Sequence, residues 1–230
     1  MSPTRRPRER PHFWKPMALI MVVGILAAVI AGALVMTTAE PGPDAVEPQA
    51  LAVVGDSNTE MDSPDFAAGQ IGEDSWVSTV LAAGHRFAGG WAVAGSTSVD
   101  QAAGLEAVQD AEVLLVMTGT NDLAQGVPFE QTAPSLEEIV AEAPAERVVL
   151  LAIPPRDEET TPSSTEFNVS LQNLAEDQGW EYFDGLEFLR GPEGGFVEGT
   201  TDDGVHLTPE AQDEFGETVA DYLAEDDDAS

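Results

Sequence analysis

A chain of 230 residues has room for one ordinary globular domain and a tail, not for two full domains. Its 42 acidic residues against 9 basic ones, a formal net charge of −33, make a highly hydrated surface that repels polyanions, so nucleic acid and anionic headgroups are poor partners for the folded part. There is no cysteine, which removes disulfides and thiolate metal sites from consideration.

Five of the nine cations, Arg5, Arg6, Arg8, Arg10 and Lys15, lie in the first 16 residues, a basic tail expected on the cytoplasmic side. From Met17 to Met36 no charged side chain occurs. Twenty residues at about 1.5 Å rise span roughly 30 Å, the apolar thickness of a bilayer, so residues 17–38 are expected to form a transmembrane signal-anchor with the remainder outside the cytoplasm. A cleaved signal peptide ending near Thr37-Thr38-Ala39 is the alternative, and would give a secreted domain. Residues 39–49 carry Pro41, Pro43 and Pro48 among small and acidic residues and read as a linker. A folded domain is expected over 50–224, followed by an acidic tail over 225–230.

Within that domain, apolar runs suited to buried strands occur at Ala50 to Val54, Trp91 to Ala94, Val113 to Met117, Val148 to Ile153 and Trp180 to Phe183. Helical patterns fill the gaps at Ile71 to Ala83, Val99 to Ala111, Ser135 to Ala143, Thr165 to Gln178 and Pro209 to Ala224. Strands alternating with helices predict a mostly parallel sheet covered on both faces. In such a sheet ligands bind outside the carboxyl ends of the strands. Three polar blocks fall just after strand candidates: Gly55-Asp56-Ser57-Asn58, Gly95-Ser96-Thr97-Ser98 and Gly119-Thr120-Asn121-Asp122. A fourth, Asp203-Gly204-Val205-His206, precedes the last predicted helix.

These residue types suit acyl transfer. A serine hydroxyl at neutral pH attacks a carbonyl only if a base takes its proton, and the predicted domain holds two histidines, His85 and His206. His206 stands three residues after Asp203, whose carboxylate can orient the imidazole; the neighbouring Asp202 is the competing acid. His85, beside Gly84 at a predicted helix end, reads as structural, favoured there by the helix dipole. The backbone N–H groups of Ser57 and Gly95 and the side-chain amide of Asn121 are the candidate donors to a developing oxyanion. Among rival readings, a flavin or phosphate site is disfavoured by Asp56, Glu60, Asp62 and Asp65 in the first loop, and a divalent-metal pocket of Asp56, Asp122 and Asp203 leaves Ser57, Asn121 and His206 without a role.

The four blocks, in this order, resemble those of the SGNH, or GDSL-like, hydrolase family of esterases and lipases. The resemblance implies a flavodoxin-like three-layer sandwich around a five-stranded parallel sheet, and ester hydrolysis through an acyl-enzyme without metal or cofactor. It assigns Ser57 as nucleophile, Gly95 and Asn121 with Ser57 as oxyanion hole, His206 as base and Asp203 as its acid. Two departures stand out: Asn58 replaces the Leu of the nominal motif, a change expected to matter little, and Ala92-Val93-Ala94 lacks the Asn that often precedes the glycine. The expected substrate is a small-molecule or carbohydrate ester, such as an O-acetyl group on envelope polysaccharide. Lipid-acyl ester or thioester hydrolysis, and a non-catalytic envelope-binding module, are the alternatives. Trp76, Trp91 and Trp180 are candidates either for a sugar-binding face or for the core. The sequence does not specify an oligomeric state.

Overall fold

The computed structural model describes residues 47–227. The basic tail, the apolar segment 17–38 and most of the linker lie outside them, and among the described residues no helix is long and apolar enough to cross a membrane.

Five strands, β1 (Ala50–Gly55), β2 (Arg86–Ala92), β3 (Val113–Met117), β4 (Arg147–Leu151) and β5 (Glu181–Phe183), pair in the order β2-β1-β3-β4-β5 with every pairing parallel. This is the flavodoxin-like strand order, in which the chain reverses its winding direction next to β1. The first five residues of β1 and all of β3 are buried apolar side chains, as strands covered on both faces must be. Their alternation sorts the core into two layers. Leu51, Val53, Val113, Leu115 and Met117 face one side, with Trp76, Phe215 and Val219. Ala52, Val54, Leu114 and Val116 face the other, with Leu136, Ile139 and Phe167. The first layer is roofed by α2 (Trp76–Ala82) and the last helix, α7 (Pro209–Asp227); the second by α5 (Phe129–Glu142) and α6 (Ser164–Gln178).

Between these run three shorter helices, α1 (Ser57–Glu60), α3 (Ser98–Gly104) and α4 (Thr120–Gln125). All three begin inside the polar blocks, at Ser57, Ser98 and Thr120. Several boundaries differ from the sequence reading. β2 starts at Arg86 rather than Trp91, because Gly89 and Gly90, which break the apolar run, are where β2 passes closest to β1. A Cβ on Gly90 would lie 1.9 Å from the Val53 carbonyl oxygen. The helix expected over Val99 to Ala111 ends at Gly104, which packs against the Trp91 indole. Residues 71–75 are not helical, since Ser75 caps α2 by accepting from the Val77 N–H. The last helix runs on through the acidic residues to Asp227.

Candidate active site

β1 ends at Gly55, and the chain turns at once into α1. The turn is tight enough that a Cβ on Gly55 would sit 2.1 Å from the Thr59 hydroxyl oxygen. Asp56 caps α1 by accepting from the Asn58 N–H at 3.0 Å. Ser57 therefore stands at the first position of a helix at the carboxyl edge of the sheet. Its hydroxyl lies 2.8 Å from Nε2 of His206.

The histidine is carried by a loop closed on itself ahead of α7. Thr201 and Leu207 form an antiparallel bridge across its neck, and the Gly204 N–H donates to the Thr201 hydroxyl at 2.9 Å. Within it, Oδ2 of Asp203 is 2.7 Å from His206 Nδ1, while Oδ1 accepts the backbone N–H groups of His206 at 2.8 Å and Val205 at 2.9 Å. Burial pushes the Asp203 carboxyl up, but the hydrogen bonds from the His206 N–H, the imidazole and the Val205 N–H outweigh it and bring the pKa down to about 2. Both carboxylate oxygens are thus committed to holding one imidazole. Asp202 is exposed and makes no hydrogen bond among the described residues.

The second and third blocks follow β2 and β3, the strands on either side of β1. Gly95 has φ +78°, in the region that favours glycine, and its carbonyl accepts from Gln125 Nε2 at 3.2 Å. The N–H groups of Ser57 and Gly95 have no acceptor among the described residues, so both remain available to a ligand oxygen. Nδ2 of Asn121 donates to the Ser96 carbonyl at 3.0 Å, which orients the amide and leaves its second hydrogen free. The glycine before this block, Gly119 (φ +128°), lets the chain pass over Phe167; a Cβ there would lie 2.2 Å from the ring.

Asp56, Asp122 and the side chain of Arg156, charged groups at the sheet edge, are buried. Asp56 is 1% exposed, with one carboxylate oxygen lacking a partner. Burial pushes its pKa up to about 6, with Asp122 adding to the rise, against the lowering effects of the Asn58 N–H, His206 and Arg156. Arg156, after β4, has a side chain 7% exposed; Nη1 reaches the Thr120 carbonyl at 3.4 Å and Nη2 lies 3.7 Å from Glu158. Its neighbour Asp157 binds Gly204 of the histidine loop, donating its N–H to the Gly204 carbonyl at 3.0 Å, and accepts the Phe196 N–H through Oδ1 at 2.9 Å. Arg156 and Asp157 thereby form one wall of a cleft of about 980 Å³, whose other walls include Glu159, Thr161, Ser164 and Glu193.

Among the described residues no group of histidines and carboxylates could hold a metal ion. The pocket of Asp56, Asp122 and Asp203 weighed from sequence fails on donor geometry. Asp122 accepts from Ser98 and Thr132, Asp203 faces the imidazole, and Asp56 caps a helix.

The profile of the GDSL-like Lipase/Acylhydrolase family matches residues 53–213, which is most of the chain. The chain belongs to this family. It is accordingly a serine hydrolase acting on ester bonds. No curated protein matches the sequence. Solved structures share the GDSL fold at low identity. A G-D-S-L family protein from Desulfitobacterium hafniense has 16% identity and a TM-score of 0.63, over 75% of this chain and 98% of that one. A carbohydrate acetylesterase from Sinorhizobium meliloti has 18% identity and a TM-score of 0.58, over 77% and 99%. A GDSL-like lipase from Bacteroides thetaiotaomicron has 16% identity and a TM-score of 0.57, over 83% and 93%.

In this GDSL hydrolase the structure brings Ser57, His206 and Asp203 into one hydrogen-bonded line. Gly95 and Asn121 lie on the loops after β2 and β3, at the same edge of the sheet as Ser57. His85 stands apart: it is buried, and Nδ1 accepts from the Gln49 N–H at 3.3 Å, an arrangement that needs that nitrogen unprotonated. Its role is structural as expected, but through an accepted hydrogen bond rather than through a cation at a helix end. Trp76 is fully buried against Phe215, and Trp91 and Trp180 pack on the second core layer, so none of the three lines the cleft. From sequence Asn58 is a neutral motif departure and Asp122 a ligand only of the rejected metal pocket, and Arg156 is given no role. The sequence signal for the first two was polarity at positions flanking the motif residues, in stretches that have to be buried.

Proposed function

We propose that this hydrolase is a membrane-tethered, extracytoplasmic esterase that removes short acyl groups, O-acetyl above all, from carbohydrate or similarly polar alcohols. The observation that carries the catalytic part is the line Ser57 Oγ, His206 Nε2, His206 Nδ1, Asp203 Oδ2, with separations of 2.8 and 2.7 Å at its two hydrogen bonds. Ser57 Oγ attacks the ester carbonyl as His206 Nε2 takes its proton. The carbonyl oxygen becomes an oxyanion facing the N–H groups of Ser57 and Gly95 and the Asn121 amide. Collapse expels the alcohol, which leaves with the proton returned by His206, and the acyl group stays on Ser57. Water then attacks with His206 again as base, and the carboxylic acid departs from a regenerated serine. Asp203 remains ionised throughout, holding the imidazole tautomer and stabilising the imidazolium.

The substrate class is read from the cleft that Arg156 and Asp157 wall beside the histidine loop: its hydroxyls, carboxylates and single guanidinium suit a polyol, and Ser57, Gly95, Asn121 and His206 are not among its lining. Similarity in fold to the Sinorhizobium meliloti carbohydrate acetylesterase agrees with that choice. The tether rests on sequence alone, namely the uncharged run Met17–Met36 with cations on its amino-terminal side.

Full-length protein in detergent, treated with a fluorophosphonate probe and weighed intact, is expected to gain one adduct that is absent in Ser57→Ala. Acetylated xylose or chitooligosaccharide should outrun long-chain p-nitrophenyl esters. A preference for the long chains would overturn the polar-alcohol assignment. Protease accessibility of the carboxyl-terminal domain in intact cells checks the orientation.

A further inference from the structure

Asn58, the residue at which the chain departs from the nominal motif, is fully buried, and both ends of its amide are occupied by the histidine loop. Nδ2 donates to the Val205 carbonyl at 3.2 Å, and Oδ1 accepts the Leu207 N–H at 3.2 Å. These are the two backbone groups on either side of His206. Their opposite polarity fixes which end of the amide is which, since the exchanged orientation would set carbonyl against carbonyl and N–H against N–H. The side chain of the residue next to the serine therefore grips the chain immediately before and after the histidine, at positions 147 and 149 residues away in sequence.

The grip has its own support. Asn58 donates its backbone N–H to Asp56 Oδ1, and its carbonyl accepts from Gln212 Nε2 at 3.0 Å. Gln212, on α7 and itself fully buried, uses Oε1 to accept the Trp76 N–H at 3.0 Å at the start of α2. Asp203 holds the N–H groups of Val205 and His206 from the other direction. Four backbone groups around the imidazole, Val205 N and O, His206 N and Leu207 N, are thus held by two side chains.

We infer that Asn58 is the positioning residue that sets the approach of His206 to Ser57. The inference rests on the catalytic reading given above. Leucine at this position fills a similar volume but neither donates nor accepts, so the Val205 carbonyl and Leu207 N–H would lose their partners and the loop its registration against α1. A misplacement of about 1 Å between reacting groups costs roughly 10² in rate. Because His206 serves as base in both half-reactions, acylation and deacylation should slow together, and KM for a small ester, which depends on the ratio of the two rates, should hold.

The test uses the full-length chain in detergent with Asn58→Leu and Asn58→Asp. The aspartate keeps the shape and the acceptor for Leu207 but turns the other contact into a repulsion with the Val205 carbonyl. Titration to end-point with a fluorophosphonate first counts competent sites, and kcat on p-nitrophenyl acetate is then expressed per competent site. The expected result is near-full titration, with labelling rate and per-site kcat lowered about 10²-fold in Asn58→Leu. The low-field proton resonance of the His206 Nδ1–H should broaden or disappear in the same variant. Loss confined to the competent fraction or to melting temperature, with per-site kcat and the proton resonance as in the parent, would overturn the inference and leave Asn58 as packing. If Asn58→Leu does not fold, Asn58→Asp is judged by the same two readouts. If the parent protein itself takes up no probe, the serine reading fails; the proton resonance still decides whether Asn58 holds the imidazole.

Discussion

Asp122 holds Ser98 at two points: Oδ2 accepts its backbone N–H at 2.9 Å and Oδ1 its hydroxyl at 2.5 Å. A third donor, the Thr132 hydroxyl, reaches Oδ1 at 2.8 Å. Asp122 is fully buried and follows Asn121, while Ser98 begins the helix after the Gly95 turn. One carboxylate therefore fixes the loop that carries Gly95 to the loop that carries Asn121. Replacing it with alanine orphans these donors, at a cost of about 1–3 kcal/mol for each that stays buried. Asp122→Ala should lower stability by several kcal/mol in urea unfolding and cut turnover with it. Asp122→Asn, which keeps one acceptor and lets the two hydroxyls rotate, should lose distinctly less on both counts.

The two neighbouring aspartates should part widely under the same substitution. Asp203→Asn leaves the geometry nearly intact but favours the wrong imidazole tautomer, and a drop in kcat on the order of 10³–10⁴ is expected. Asp202→Asn should remain within about twofold of the parent, because Asp202 touches nothing that positions His206. Equal losses on p-nitrophenyl acetate would overturn the assignment. Since the folded pKa of Asp203 is depressed from 3.8 to about 2, its stabilising contribution is present above pH 4 and is lost as pH falls towards 2. Asp203→Asn should therefore flatten the acid limb of the stability curve below pH 4.

Asp56 works in the opposite sense. Its folded pKa is raised from 3.8 to about 6, so between these values the native state binds more protons than the unfolded chain and stability falls as pH rises. Above pH 6 the buried carboxylate costs on the order of 3 kcal/mol. Asparagine also caps helices well, so Asp56→Asn keeps the bond to the Asn58 N–H and removes the charge. Urea midpoints at pH 4.5 and 7.5 should differ less in this variant than in the parent, with the gain in stability appearing at pH 7.5.

Asn121→Ala should lower kcat by roughly 10² with KM little changed, the pattern of a donor that acts on the transition state. The Ser96 carbonyl loses its partner in the same variant, so a melting curve is needed beside the rate. Turnover that survives Asn121→Ala would leave the two backbone donors as the whole oxyanion site.

Much of this was legible before any coordinates. The apolar runs of β1 and β3 give strands because nothing in them can face water, and the four polar blocks lie where those strands or the final helix begin or end. Less legible was β2, because Gly89 and Gly90 carry no hydrophobic signal and are small only to let β2 approach Val53. His206 was readable because the predicted domain holds only two histidines, and Ser57 and Asp203 because they stand in polar blocks at a strand end and three residues before that histidine. Asn58 looked like a neutral replacement for leucine, since an amide's value depends on which backbone groups lie opposite it.

By itself the sequence determined the alternating architecture, the candidate serine and histidine, and the surplus of negative charge, which follow from local periodicity, residue chemistry and composition; that Asp203 rather than Asp202 meets the imidazole is seen in the structure. Only the tertiary structure decided that Asn58 spans His206, that Asp122 ties two loops together, that Asp56 is buried beside the site and that Trp76, Trp91 and Trp180 pack with the core. The Asn58 and Asp122 ties depend on contacts between segments 24 to 154 residues apart, for which one-dimensional spacing carries no signal.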